Sequence, residues 1–236
     1  MLDQPQSIFD HLTELRRRII WAGLSVVGGV VVSMLFSHRL FTWMISTAGV
    51  KLIQTHPSDA FLAEFRLAIV AGLIIALPVL LYQLVAFILP ALRANERRIL
   101  WIGLPMATGL FVLGWLFGWF VVIPITKKFF FDIASTAGVE SMITPRSYIG
   151  FVMGICNPLG LAFELPLVVL ILARIGLVSA ALLARVRKFA FLAIMILAAI
   201  LSPPDVISMT IFMVPLYGLY EVSILLARVA GKRRDT

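Results

Sequence analysis

Acidic side chains are scarce in this 236-residue chain, with 12 Asp and Glu against 20 Lys and Arg, so each acid near an apolar stretch is a candidate for chemistry. The first is Glu14, in His11-Leu12-Thr13-Glu14-Leu15-Arg16-Arg17-Arg18. On a helix Glu14 pairs with Arg17 or Arg18, a contact worth about 0.2–0.5 kcal/mol, and spacing alone favours this purely structural use. The alternative use is a carboxylate offered to a cationic ligand. Glu96, in Asn95-Glu96-Arg97-Arg98, poses the same choice, and its neighbouring arginines keep it ionised. Glu164, in Ala162-Phe163-Glu164-Leu165-Pro166, lies inside an apolar run. An ionisable group there marks a functional contact unless it only bonds between helices. Arg174 stands about 15 Å further along a helix, too far to pair with it. Pro158 and Pro166 bracket Glu164 and predict a bent helix. Asp205, after Pro203-Pro204, reads as an N-cap for the following helix.

Other chemistry finds no residues to carry it. His11, His38 and His56 lie outside the apolar runs and far apart, and there is no His-Glu-x-x-His, G-x-S-x-G or P-loop pattern. The single cysteine, Cys156, excludes a disulfide framework and reads as a small packing residue. No catalytic residue, metal-ligand set or cofactor is expected, and the chain does not read as an enzyme.

The elements that position these acids follow from composition. The chain is 61% apolar and 14% charged with a net charge of +8, whereas soluble domains average about 45–50% and about 25%. Six apolar runs, 19–36, 67–89, 99–125, 149–173, 189–201 and 206–227, contain only Glu164 and Glu221 of the 32 charges. A charge in hydrocarbon is costly and a spanning helix needs about 20 apolar residues, so the chain reads as an all-α polytopic membrane protein with six transmembrane helices. These form a single integral membrane domain over residues 1–236. The fifth run has 13 residues and the sixth is apolar for only 15 before Glu221, so the last two helices are expected to be short. They either form a re-entrant pair or cross where the bilayer is thinned.

With six crossings, residues 1–18, 90–98, 174–188 and 228–236 fall on one side and hold 14 of the 20 Lys and Arg. The positive-inside rule places that side, and both termini, in the cytoplasm. Arg16-Arg17-Arg18 before an 18-residue apolar run superficially resembles a secretion signal, but the run is long for one and no small-x-small cleavage site follows. Gly114-Trp115-Leu116-Phe117-Gly118 and Gly150-Phe151-Val152-Met153-Gly154 are small-xxx-small faces that predict close helix packing.

At these same places the sequence resembles the TatC family, the multi-spanning core of the twin-arginine, Sec-independent protein translocase. The resemblance runs over about residues 8–228. It is carried by His11-Leu12-x-Glu14-Leu15-Arg16-x-Arg18, Phe61 with Arg66-Leu67, Pro78-Val79-Leu80-Leu81-Tyr82-Gln83, Phe87-Ile88-x-Pro90-x-Leu92 and Glu96-Arg97-Arg98. It continues in Phe163-Glu164-Leu165-Pro166, Leu201-Ser202-Pro203-Pro204-Asp205 and Pro215 with Tyr220-Glu221. It implies a receptor for folded proteins bearing twin-arginine signal peptides, located in the cell inner membrane and drawing on the proton-motive force. Glu14 and Glu96 would dock the arginine pair, with Arg16 in support. Glu164 would meet polar groups of the single-span partners TatA and TatB, with Asp205 and Met209 beside the short final helices. The segments 37–66 and 126–148 would form a periplasmic cap that includes Phe61. Self-association in a receptor complex is implied, and no nucleic acid. Three features depart from the family pattern: Met209 stands where Gln is usual, Thr47-Ala48-Gly49 where Pro is frequent, and Asn157-Pro158 is unusual in helix four. The reading from another class is a secondary transporter or channel using Glu164 as a proton or cation site, against which the thin set of intramembrane charges argues.

Overall fold

Inside a bilayer every backbone N–H and C=O needs a partner within the protein, and a helix supplies those partners from its own segment. In a computed structural model, described over residues 8–49, 52–88, 94–136, 138, 142–174, 176–201 and 206–232, ten α-helices meet that demand. Side chains are described for 12–49, 52–87, 103–136, 138, 142–174, 176–200 and 206–229. The helices are α1 (Ile8–Met34), α2 (Ser37–Ser46), α3 (Asp59–Ile88), α4 (Ala94–Phe117), α5 (Ile123–Thr136), α6 (Pro145–Phe163), α7 (Leu165–Arg174), α8 (Ala180–Arg185), α9 (Arg187–Leu201) and α10 (Val206–Lys232). A π turn at Gly118–Val122, closed by the Ile123 N–H on the Gly118 carbonyl, joins α4 to α5 without a break.

Among the described residues, five stretches are long and apolar enough to cross a membrane: Leu12–Met34, Asp59–Phe87, Gly103–Thr136, Pro145–Arg174 and Val206–Val229. The fifth expected span, α9, has 15 residues, about 22 Å of helix. The brevity expected of the last two helices holds for α9 and not for α10, which runs 27 residues. Glu221 does not end α10, because Arg187 and Tyr217 satisfy its carboxylate. The helices also outrun the apolar runs elsewhere. α1 begins eleven residues before the first run, and α5 carries its helix to Thr136. Where a helix leaves hydrocarbon, its backbone bonds remain and charged side chains reach water.

Contacts gather the chain into two compact units. The first comprises residues up to Thr47 with His56–Thr108. Here α1 lies along α3 at very close range. A Cβ on Gly72 would stand 2.5 Å from the Val30 backbone, so only glycine fits the crossing. Above it the Ser33 hydroxyl donates to the Ala68 carbonyl at 2.8 Å. The Ser37 hydroxyl donates to Glu64 at 3.1 Å, and His38 Nδ1 lies 3.4 Å from the same carboxylate. The buried Asp59 opens α3 by accepting the His56 N–H at 3.0 Å.

The second unit comprises Ala48–Thr55 and the residues from Gly109 on. In it α10 packs against α7, α9 and α8, and α6 against the π turn. The expected close face at Gly114 and Gly118 is present: added Cβ atoms would meet the Leu159 carbonyl at 2.7 Å and Cys156 at 3.1 Å. At the second expected face a Cβ on Gly154 would meet nothing within 4 Å among the described residues. Thr144 caps α6 by accepting the Ser147 N–H at 3.2 Å, with Pro145 at the first helical position. Gly176, at φ 82°, turns the chain after α7 as Leu177 N–H bonds the Leu172 carbonyl and Gly176 N–H that of Ala173. Leu52 and Ile143 form an isolated parallel bridge. Lys127 ties this corner together by donating to the Ala48 carbonyl, with its ammonium 5.8 Å from the Tyr148 ring centroid. Thr47-Ala48-Gly49 thus turns at Gly49, with φ 71°, instead of at a proline.

Candidate functional site

The first unit carries a polar recess at the start of the first apolar span. Its walls are Glu14, Arg17, Arg18 and Trp21 from α1 with Tyr82 and Gln83 from α3, around about 330 Å³. Helical geometry explains the α1 set, because residues three and four apart share a face. Of the two pairings open to Glu14 the structure selects Arg18, whose Nε donates to Glu14 Oε1 at 3.0 Å and whose Nη2 donates to the same oxygen. Arg18 Nη1 also lies 3.5 Å from Gln83 Oε1. The Glu14 and Arg18 side chains are 24% and 22% exposed, so the carboxylate sits at the edge of water beside fixed positive charge. Such a group accepts charge-assisted, bidentate bonds from a guanidinium better than from a point-like ammonium.

Arg16 is exposed and is not among the recess walls. Two residues from Glu14, it is carried round the helix to a different face. Glu96 lies in the first turn of α4, and its side chain is outside the described residues. Tyr82 and Gln83 are the residues that reasoning from charge passed over. They lie in the Pro78-to-Gln83 motif, which was the signal available.

In the second unit Glu164 stands where α6 gives way to α7. Its own N–H bonds the Leu161 carbonyl at 3.1 Å, one residue tighter than an α-helical bond. Pro166 has no N–H to continue the ladder, so the helix breaks after Phe163. Pro158, by contrast, sits within α6. Glu164 Oε1 is buried and has no hydrogen-bond partner among the described residues. Asn157 accepts from Trp115 Nε1 at 3.3 Å, and Trp115 stacks on Trp119 with centroids 5.8 Å apart. Asn157 therefore faces α4 and has its own structural contact.

Asp205 falls outside the described residues. Met209 is half-buried in the first turn of α10. Phe61 is 67% exposed and stacks on Phe65 with ring centroids 6.1 Å apart. A further ionic contact went unread in the sequence: Arg187 Nη2 donates to Glu221 Oε2 at 2.8 Å, and the Tyr217 hydroxyl donates to Oε1 at 3.1 Å. The pairing spans 34 residues, and only its lone intramembrane acid was a visible sign.

Residues 10–215 match the model of the family described as Sec-independent protein translocase protein (TatC). Similar proteins of that name occur in Carboxydothermus hydrogenoformans, 36% identical over 97% of this chain and 95% of the relative, and in Listeria innocua, 34% identical over 100% and 96%. A third, from Deinococcus radiodurans, is 37% identical over 94% of this chain and 86% of the relative. Two crystal structures of a twin-arginine translocase receptor, TatC, one of them in DDM, superpose with TM-scores of 0.82 and 0.83. Each is 32% identical; they cover 93% and 92% of this chain and 99% of their own.

Proposed function

The chain belongs to the TatC family of Sec-independent protein translocase proteins, as a multi-pass membrane subunit of that translocase, and from this premise we propose that its recess docks twin-arginine signal peptides. The observation that carries the reading is the part-buried Glu14 carboxylate, held beside arginines and aromatic walls. Glu14 supplies one carboxylate and Glu96 a second, with Arg17 and Arg18 as the positive surface of the recess and Arg16 supporting it from another face of α1. Cations in general are repelled by that surface, whereas a paired guanidinium gripping two carboxylates recovers the cost. Loss of one charged hydrogen-bond partner is worth about 1.5–3 kcal/mol. Glu14→Ala or Glu96→Ala is therefore expected to weaken crosslinking to a twin-arginine peptide by about tenfold or more, with membrane insertion unchanged. Unchanged crosslinking in both variants refutes the docking site.

The rest of the assignment follows the same premise. Both termini lie in the cytoplasm and six helices cross, with α9 crossing where the bilayer is thin. Phe61 belongs to the periplasmic cap. Glu164, Asp205 and Met209 face the single spans of TatA- and TatB-like partners, and the buried, unpartnered Glu164 Oε1 supports this. Met209 stands where the resemblance leads one to expect Gln. Restoring a polar side chain with Met209→Gln is expected to raise co-purification of the partner span, and a decrease refutes the placement.

A further inference from the structure

Arg18 plays two parts at the recess. Its guanidinium grips Glu14 Oε1 through Nε and Nη2, and it reaches Gln83 Oε1 on α3 through Nη1 at 3.5 Å. The first contact is a close fork, and the second is at the long limit of a hydrogen bond. An i,i+4 helical pair accounts for the first by itself. It does not account for a guanidinium divided between a carboxylate and an amide on a neighbouring helix. Nor does it account for the pair lining a recess of about 330 Å³ with Trp21 and Tyr82. Both Glu14 contacts land on Oε1, which leaves Oε2 without a partner among the described residues.

We infer that Arg18 is a resident stand-in for the ligand's arginine: it occupies Glu14 in the empty site and passes to Gln83 when an incoming guanidinium takes the carboxylate. The inference rests on the reading of the recess as the docking site. The chemistry balances as an exchange of one guanidinium for another on a single carboxylate, with no net change in protonation. Gln83 makes the exchange possible, because it gives the displaced cation an acceptor and spares it from being left unpaired. A tethered competitor lowers the affinity of every cationic ligand by the same factor. Weakly held single cations then fall out of the working range, while an arginine pair that also uses a second carboxylate stays within it. Arg18 thus acts as a threshold-setting residue.

The test measures binding of a labelled synthetic peptide carrying an Arg-Arg pair, and of its Lys-Lys counterpart, to the full-length protein in lipid nanodiscs. Arg18→Lys keeps the charge and removes the fork, so both peptides are expected to bind about two- to fivefold more tightly; Arg18→Gln tightens them about two- to tenfold. Gln83→Leu is expected to weaken binding when Arg18 is present and to have no effect in the Arg18→Gln background. That dependence on Arg18 is one that loss of packing alone does not produce. Weaker or unchanged binding in both Arg18 variants overturns the inference, as does a Gln83→Leu effect that is independent of Arg18. Glu14→Gln is measured alongside: if it leaves binding unchanged, the docking reading itself fails, whatever the Arg18 variants do.

Discussion

Two acids inside the spanning helices have opposite surroundings. Glu221 has both oxygens engaged, by Arg187 at 2.8 Å and Tyr217 at 3.1 Å. Glu164 keeps a buried Oε1 without a partner among the described residues. A satisfied carboxylate stabilises its own fold, whereas an unsatisfied one costs about 1–3 kcal/mol until something else meets it. Glu164→Leu is therefore expected to raise thermal stability in detergent while reducing co-purification of a partner span. A lower melting temperature is the contrary result. Glu221→Ala leaves Arg187 without its counter-charge, and is expected to cost about 1 kcal/mol, since both side chains are more than a third exposed. The Arg187→Met, Glu221→Leu double variant recovers most of that loss. A double variant that melts lower than the single one contradicts the pairing. The place of Glu164 was legible from its proline and the surrounding apolar run. The partner of Glu221 was not, because 34 residues separate the two and no local period links them.

At the scale of elements, packing depends on which glycines meet a neighbour. Gly72 has no room for a Cβ against α1, while Gly154 has open space around it. Gly72→Val is expected to lose at least about 2 kcal/mol, in the range of overpacked interiors, and Gly154→Ala to stay within about 0.5 kcal/mol. Thermal melts of the two variants in one detergent check the contrast, and equal losses refute it. The segment 52–55 has no helix of its own, and Lys127 holds its approach through the Ala48 carbonyl. Lys127→Met is expected to speed proteolytic nicking between Thr47 and Asp59 without moving other cleavage sites. The sequence motif located the Gly114 and Gly118 face correctly. It misread Gly154 and did not mark Gly29 and Gly72, although Ser25, Gly29 and Ser33 on α1 and Ala68, Gly72 and Ala76 on α3 keep the same four-residue spacing of small residues.

For the whole molecule, the orientation proposed from the charge count is open to a direct check. In a protein with Cys156 replaced, a cysteine at Thr236 is expected to label from the cytoplasmic side and one at Ser58 from the opposite side. Labelling of both from one side refutes six crossings. The 15 residues of α9 are short for a bilayer core of about 30 Å. On the proposed thin crossing, adding one helical turn to α9 is expected to weaken co-purification of a partner span, and unchanged co-purification refutes that proposal.

Membrane residence, the places of the five long spans, a disturbed helix at Glu164 and the family were determined by the sequence itself. Each depends on local chemistry: the solvation cost of charge, the missing N–H of Pro166, and motifs in fixed order. The tertiary structure alone decided that Arg18 reaches Gln83, that Arg187 meets Glu221, that Lys127 holds Ala48, and that α1 and α3 touch at Gly29 and Gly72. These contacts depend on the rotation and register of one helix against another. That register is set by the sum of many packing interactions along the crossing, and no single residue or short spacing carries it.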